Sequence, residues 1–336
     1  MVYANDGKPR KGQRLNMSIK VAVSACLVGH EVRFNGGHKR SNFIDAILSQ
    51  HFELLPLCPE VGIGMSIPRP PIHLIAIESE TEGQTVEAAL VNDHEVRFTK
   101  DLKQYAVQQA EKLTDASGYI FMQKSPSCGY KPVKLYHNNG MPLDKTQGVY
   151  AAEIDRLLPL MPKEDAARLN DPFIRENFLS RVSAYSDWQE NVQNNLTKKT
   201  LTDFHVRYKY KLMSHHIPSY NALGRMVSNL KAKPLEEIAA DYIEEFMQAL
   251  MHMANRNKHT NVLQHLQGYL KKDLNSNSKQ ELDSLFTQYR KGHLPLIVPL
   301  TMLNHHIEQH TDETHYLRTQ KYLHPHPFEL SLLNAI

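Results

Sequence analysis

The chain of 336 residues has only three cysteines, and each closes or follows an apolar run. Cys26 ends IKVAVSAC, Cys58 ends FELLPLC, and Cys128 follows GYIFMQ within KSPSCG. Three thiols cannot all pair as disulfides, and so few in a chain this long fit a reducing compartment. If the three runs are strands of one parallel sheet, their carboxyl ends share an edge and the sulfurs meet in the crevice there. Such a set can hold zinc with a fourth ligand, or an iron–sulfur cluster with one iron left without a thiolate. An open iron is a Lewis acid with a preference for soft donors such as sulfur.

Polar residues accompany each cysteine. Glu60, two positions after Cys58, offers a carboxylate for general acid–base work, or for capping a turn. Ser125 and Ser127 flank Pro126 ahead of Cys128, where they can donate to a substrate or cap the turn, and Lys124 adds a positive charge. The loop GHEVRFNGGHKR supplies Arg33 and Asn35 as candidate substrate contacts. Its glycines would admit an anion close to the backbone. A tight Asn-Gly-Gly turn on a basic surface explains the same residues. Pro68-Arg69-Pro70-Pro71 reads as a rigid connector from which Arg69 can face the site.

The elements that must position these groups fall into two textures. Over 19–150, IKVAVSA, FELLPLC, IHLIAIE, GYIFMQ and VKLYH read as strands, and FELLPLC as a buried one. Asn42 to Gln50 and Asp101 to Asp115 read as helices between them. That alternation predicts an α/β domain with a mostly parallel sheet and helices on both faces. Beyond about Gly148 strand signals stop. AAEIDRLLPLM, Pro172 to Asn194, LTDFHVRYKYKLMSHH, YNALGRMVSNLKA, Leu235 to Arg256 and VLQHLQGYLKKDL carry helical periodicity, with Pro234 in a first turn and Asn275–Ser278 as punctuation. The expected domains are a disordered tail over 1–17, an α/β domain over 18–165 and an all-α domain over 166–336.

Net charge is +3. Between Leu196 and His293 there are 15 Lys and Arg against 9 Asp and Glu, so the excess is concentrated in the helical half. There, Arg207, Lys209 and Lys211 interleave with tyrosines, and Arg256 and Lys258 follow. The mixture suits RNA phosphate contacts with base stacking. It equally suits a solvated helix surface, and on a helix Tyr208 and Tyr210 face different sides, so at least one belongs to the core. His306 and His310 have a metal-ligand spacing without an HExxH motif. The N-terminal segment lacks the apolar stretch of a signal peptide, and no run reaches the ~18 apolar residues of a span. The expectation is a cytoplasmic protein with no membrane and no obligate protein partner.

In order, SACLVGHEVRFNGGHKR, LCPEVGIGMSIPRPP and KSPSCG resemble the thiouracil desulfidase family over roughly residues 19–160. HVRYKYKLMSHH, NRNKHTNVLQHLQGYLKK and YRKGHLPLIVPLTMLNHH resemble the helical domain often fused to it, as in 4-thiouridine desulfidases. The resemblance implies a Rossmann-like α/β fold and a 4Fe–4S cluster held by Cys26, Cys58 and Cys128. It implies catalytic roles for Glu60 and Ser125, and a thiolated pyrimidine nucleoside as substrate, either free or within transfer RNA. Two other classes compete with this reading. One is a different open-iron enzyme performing sulfur transfer or dehydration. The other is a non-enzymatic nucleic-acid-binding protein with a structural metal at the three cysteines.

Overall fold

The computed structural model describes residues 19–79 and 83–324; the tail expected over 1–17 lies outside them. The first half contains two four-stranded sheets. In the first, β1 (Ile19–Ser24), β2 (Phe52–Leu57), β5 (Ala116–Phe121) and β8 (Lys163–Asp165) are all parallel in the order β2-β1-β5-β8. β1 and β5 are central and nearly continuous in apolar residues because both their faces are covered. Ala22, Tyr119 and Phe121 face one core, while Val21, Val23 and Ile120 face another. β2 is an edge strand and mostly half-exposed, not the buried strand expected from FELLPLC. Its Pro56 is tolerated there because an edge strand has ladder groups with no partner on one side.

The second sheet is a correction to the single sheet expected. IHLIAIE and VKLYH form β3 (Ile72–Ser79) and β6 (Val133–His137), paired with each other in parallel and flanked by antiparallel β4 (Gly83–Leu90) and β7 (Pro142–Thr146). Helices α2 (Thr99–Lys112) and α3 (Val149–Leu157) share one core with both sheets. The stretch 43–50 forms irregular helical turns whose Ile44 and Leu48 cover the other face of the first sheet. A one-turn helix, α1 (Pro59–Gly62), follows β2.

Among the described residues after β8 every regular element is helical, as the lost strand signal implied. α4 (Pro172–Asn191) starts at Asp171, whose side chain accepts from the Phe173 and Ile174 amides. It is followed by α5 (Lys198–His215), α6 (Ile217–Ser228), α7 (Leu235–Met251), α8 (Arg256–Tyr269), α9 (Ser276–Arg290) and α10 (Ile297–His310). The helix expected from Leu235 to Arg256 ends at Met251, and the next one, expected from VLQHLQGYLKKDL, starts earlier, at Arg256, where Asn255 caps it. The punctuation at Asn275–Ser278 is likewise an N-cap, of the unforeseen α9: the Asn275 side chain accepts from the Ser278 amide at 2.9 Å. α4 belongs to two cores. Phe178, Leu179 and Val182 pack under the parallel sheet, and Ala184, Trp188 and Val192 pack among α5 and α7. Gly118 of β5 permits this approach, since a Cβ there would lie 2.7 Å from Val182.

Candidate active site

Each cysteine lies just past the carboxyl end of a strand in the parallel sheet. Cys26 sits in the turn after β1, Cys58 caps α1 after β2, and Cys128 lies in the loop after β5. Side-by-side parallel strands deliver all three to one edge, where they line a cavity of about 380 Å³. None is in a disulfide.

Backbone contacts fix the two loops that carry the chemistry. The Cys26 turn receives the returning basic loop through Lys39 N to Cys26 O at 2.9 Å and Ser41 N to Leu27 O at 2.8 Å. The Cys128 loop docks on the start of α3, whose first amides lack intrahelical partners. Val149 N donates to Pro126 O at 3.0 Å and Ala151 N to Ser127 O at 3.1 Å. This close approach requires glycine at two positions. A Cβ on Gly148 would lie 2.6 Å from the Ser127 carbonyl oxygen, and one on Gly129 2.4 Å from Val133. Lys124, on the same loop, adopts φ 60°, an unusual conformation for a residue with a side chain.

Around Glu60 the side chains form one chain of hydrogen bonds. Arg69 holds Oε2 through Nε at 2.8 Å and Nη2 at 2.7 Å. The Ser127 hydroxyl donates to Oε1 at 2.5 Å, and Ser125 Oγ lies 2.9 Å from Ser127 Oγ. Ser125 Oγ also accepts the Ser127 and Cys128 amides at 3.3 and 3.2 Å, so it caps the turn and joins the network at once. Arg69 additionally donates to the Val32 carbonyl at 2.8 Å. That ties the basic loop to Glu60.

Burial, then the neighbouring Cys58, pushes the Cys26 thiol up to about 11; burial pushes Cys128 up to about 12 and also raises Cys58. The sulfurs are therefore neutral thiols unless a cationic group draws off their protons. Among the described residues no three His, Cys, Asp or Glu side chains close on a single ion. The three sulfurs instead stand around the walls of a void larger than one ion. A soft donor set of three, buried and spread in this way, fits a multi-iron cluster with one position free of protein ligand. Gln123 adds a buried Oε1 without a partner at the cavity wall.

Arg33, Glu60, Lys124, Ser125, Ser127 and the three cysteines all line the cavity. Asn35 does not. It is exposed, and its Oδ1 accepts from the Gly37 amide at 3.2 Å, which shapes the Asn-Gly-Gly turn. Arg69 is the anchor of Glu60. Ser24, Lys39 and Gln123 line the site beyond the expected set. Ser24 and Gln123 lie at or just past strand ends, and that position was their signal.

The expected RNA-binding residues are fastened to the protein. Lys211 is buried, with Nζ donating to Ser180 Oγ at 2.7 Å, so it presents no surface charge; its position turns into the helix bundle. Arg207 pairs with Asp187 at 2.6 Å. Lys209 Nζ lies 4.9 and 4.6 Å from the Tyr210 and Tyr316 ring centres. Arg256 donates to the Tyr289 and Leu294 carbonyls, and Lys258 to that of His215. Tyr208 and Tyr210 are both core. His306 and His310 stack with ring centres 6.1 Å apart.

A parallel α/β sheet with three cysteines at its carboxyl edge and a carboxylate beside them is an architecture suited to a cofactor-dependent enzyme module. The chain belongs to the 2-thiouracil desulfurase family, whose model matches residues 21–166, and it carries a domain of unknown function, DUF1722, over 209–327. Among relatives, Uncharacterized protein YbgA of Escherichia coli (strain K12) is 32% identical over 161 residues, covering 48% of this chain and 94% of the relative. Uncharacterized protein YbbK of Bacillus subtilis (strain 168) is 31% identical over 117 residues, covering 32% of this chain and 72% of the relative. A solved structure, the 4Fe–4S-dependent thiouracil desulfidase TudS, is 25% identical and covers 46% of this chain and 94% of its own, with a TM-score of 0.35. Among the described residues no helix is long and apolar enough to cross a membrane.

Proposed function

We propose that the protein hydrolyses the carbon–sulfur bond of a thiolated uracil, 4-thiouridine as nucleoside or within transfer RNA, giving the carbonyl base and hydrosulfide. The observation that carries this reading is the meeting of Cys26, Cys58, Cys128 and Glu60 in one cavity. Family membership supports the same chemistry. The cavity, at about 380 Å³, falls within the usual range for small-molecule sites.

Cys26, Cys58 and Cys128 would hold a 4Fe–4S cluster. When bound, such a cluster supplies a Lewis-acidic iron that takes up sulfur. Glu60 acts on water. Arg69 fixes one carboxylate oxygen and Ser127 the other, so the group is oriented before substrate arrives. As general base it removes a proton from the water that attacks the thiocarbonyl carbon. The chain Ser125–Ser127–Glu60 offers that proton a path of hydroxyl contacts along the cavity wall. Arg33 and Lys124 present positive charge at the same wall. Overall, the thiocarbonyl and water become a carbonyl and hydrogen sulfide, with no change of oxidation state.

The test is anaerobic. Protein reconstituted with iron and sulfide is given 4-thiouracil, 4-thiouridine and 4-thiouridine-containing transfer RNA in parallel, and loss of near-ultraviolet absorbance is followed with sulfide release. Equal amounts of sulfide and desulfurated product from any of the three are expected. An iron-loaded protein that leaves all three unchanged overturns the reading.

A further inference from the structure

A second cavity, of about 820 Å³, lies between the sheets and the helical half. Its walls come from the end of α3 and β8 on one side, α7 on the other, and α4 across the back. Lys163, on β8, is accounted for. It pairs with Asp155 at 3.0 Å and donates to the Met161 carbonyl, also at 3.0 Å.

Arg181 of α4 is not accounted for. Among the described residues its guanidinium has no hydrogen-bond or ion-pair partner, and Nε is fully buried. The carboxylate that acts on it through space is Glu164, whose Oε1 is already engaged by Arg168 at 2.9 Å and the Asp165 amide at 3.0 Å. Arg181 as a whole is half-buried, and a buried guanidinium nitrogen without a partner is costly and calls for an explanation. A guanidinium presents a planar fork that matches phosphate and carboxylate oxygens two at a time. Beside it the walls are apolar, with Leu160, Met161, Ile243 and Met247. The carboxylates of α7, Glu236 and Glu244, are exposed at the rim, which directs a negative group toward α4.

We propose that this cavity binds a small organic anion, a phosphate monoester or a carboxylate with an apolar or aromatic body, through the Arg181 fork. The site is separate from the cysteine cavity but touches its support. Tyr130 forms part of the wall and stands two residues after Cys128, with its amide donating to Asp165 at 3.0 Å. A ligand here bears on the loop that carries Cys128.

Trp188, the only tryptophan in the chain, lines the cavity and reports on it. The full chain is titrated with phenyl phosphate and with benzoate at constant ionic strength, following tryptophan fluorescence and the thermal midpoint. Saturable binding of at least one probe is expected, with the tighter probe distinguishing a phosphate from a carboxylate source. Binding should be at least tenfold weaker in R181K and lost in R181M. R181M without probe should melt no lower than the parent, since an unpartnered charge has been removed. No saturation by either probe, or the same affinity in R181M and R181K as in the parent, overturns the proposal.

Discussion

Glu60 and Arg69 form a nearly buried pair, with the Arg69 side chain 3% exposed and that of Glu60 13%. Their separate substitution should have different outcomes. Glu60→Gln keeps the shape and the Ser127 contact but loses the base and the ion pair with Arg69. Iron content should stay at the parental level while turnover falls by about 10²–10⁴-fold, measured by sulfide release. Arg69→Met leaves a carboxylate buried without its partner and should cost about 3–5 kcal/mol in denaturant unfolding. Alanine at Cys26, Cys58 or Cys128 should each lower bound iron after reconstitution, measured by iron assay, while the fold persists. At this scale the sequence was informative for residues in the turns and loops that leave the carboxyl ends of the parallel strands. Cys26, Cys58, Cys128, Glu60, Ser125 and Ser127 reach one cavity for that reason. Asn35 and Gly37 satisfy each other locally, and no pattern of residue types distinguishes that from a ligand contact. Lys211 of α5 is a similar case. Composition registers a lysine's charge but not that Lys211 faces Ser180.

Among the elements, the Cys128 loop depends on the start of α3. Gly148→Ala places a methyl group against the Ser127 carbonyl and should destabilise the protein by about 1–3 kcal/mol in thermal unfolding, with reduced iron retention. In the helices, burial is the leading cause that holds His205 down to about 4 and His259 to about 3, so both are neutral in the fold. The unfolded chain protonates them near pH 6.5. Stability is therefore level above about pH 6.5 and falls as pH drops toward 4, by up to about 1.4 kcal/mol per histidine per pH unit. Denaturant melts at pH 7 and pH 5 should show the loss, and His259→Asn should make it smaller. Element type was legible here more than element company. Alternation marked IHLIAIE as a strand, but sheet membership depends on partners distant in the chain, and GQTVEAAL has no apolar run to announce β4. The end of α7 was missed because periodicity persists across His252–Asn255, where only the Asn255 side chain marks the break.

At the scale of the molecule, the change from strands to helices falls just after β8, but the packing does not divide there. α4 closes the face of the sheet formed by Val21, Val23 and Ile120. A fragment over 19–165 should therefore lack a cooperative melting transition, while one over 19–192 should show it in circular dichroism. Relative motion of the two halves would have to bend α4 between Val182 and Ala184, so the cavity that holds Arg181 keeps its shape without a linker to loosen it.

The shared helix also sets an order of events on the ribosome. The last strand of the parallel sheet ends at Asp165 and α4 at Asn191, about 26 residues later. At roughly 5–20 residues per second, synthesis takes about one to five seconds to cross that interval. Through it the sheet is complete in sequence while one apolar face waits for its cover. A nascent chain paused there would offer Val21, Val23 and Ile120 to whatever binds exposed strands, and translation speed over residues 166–191 becomes a determinant of yield.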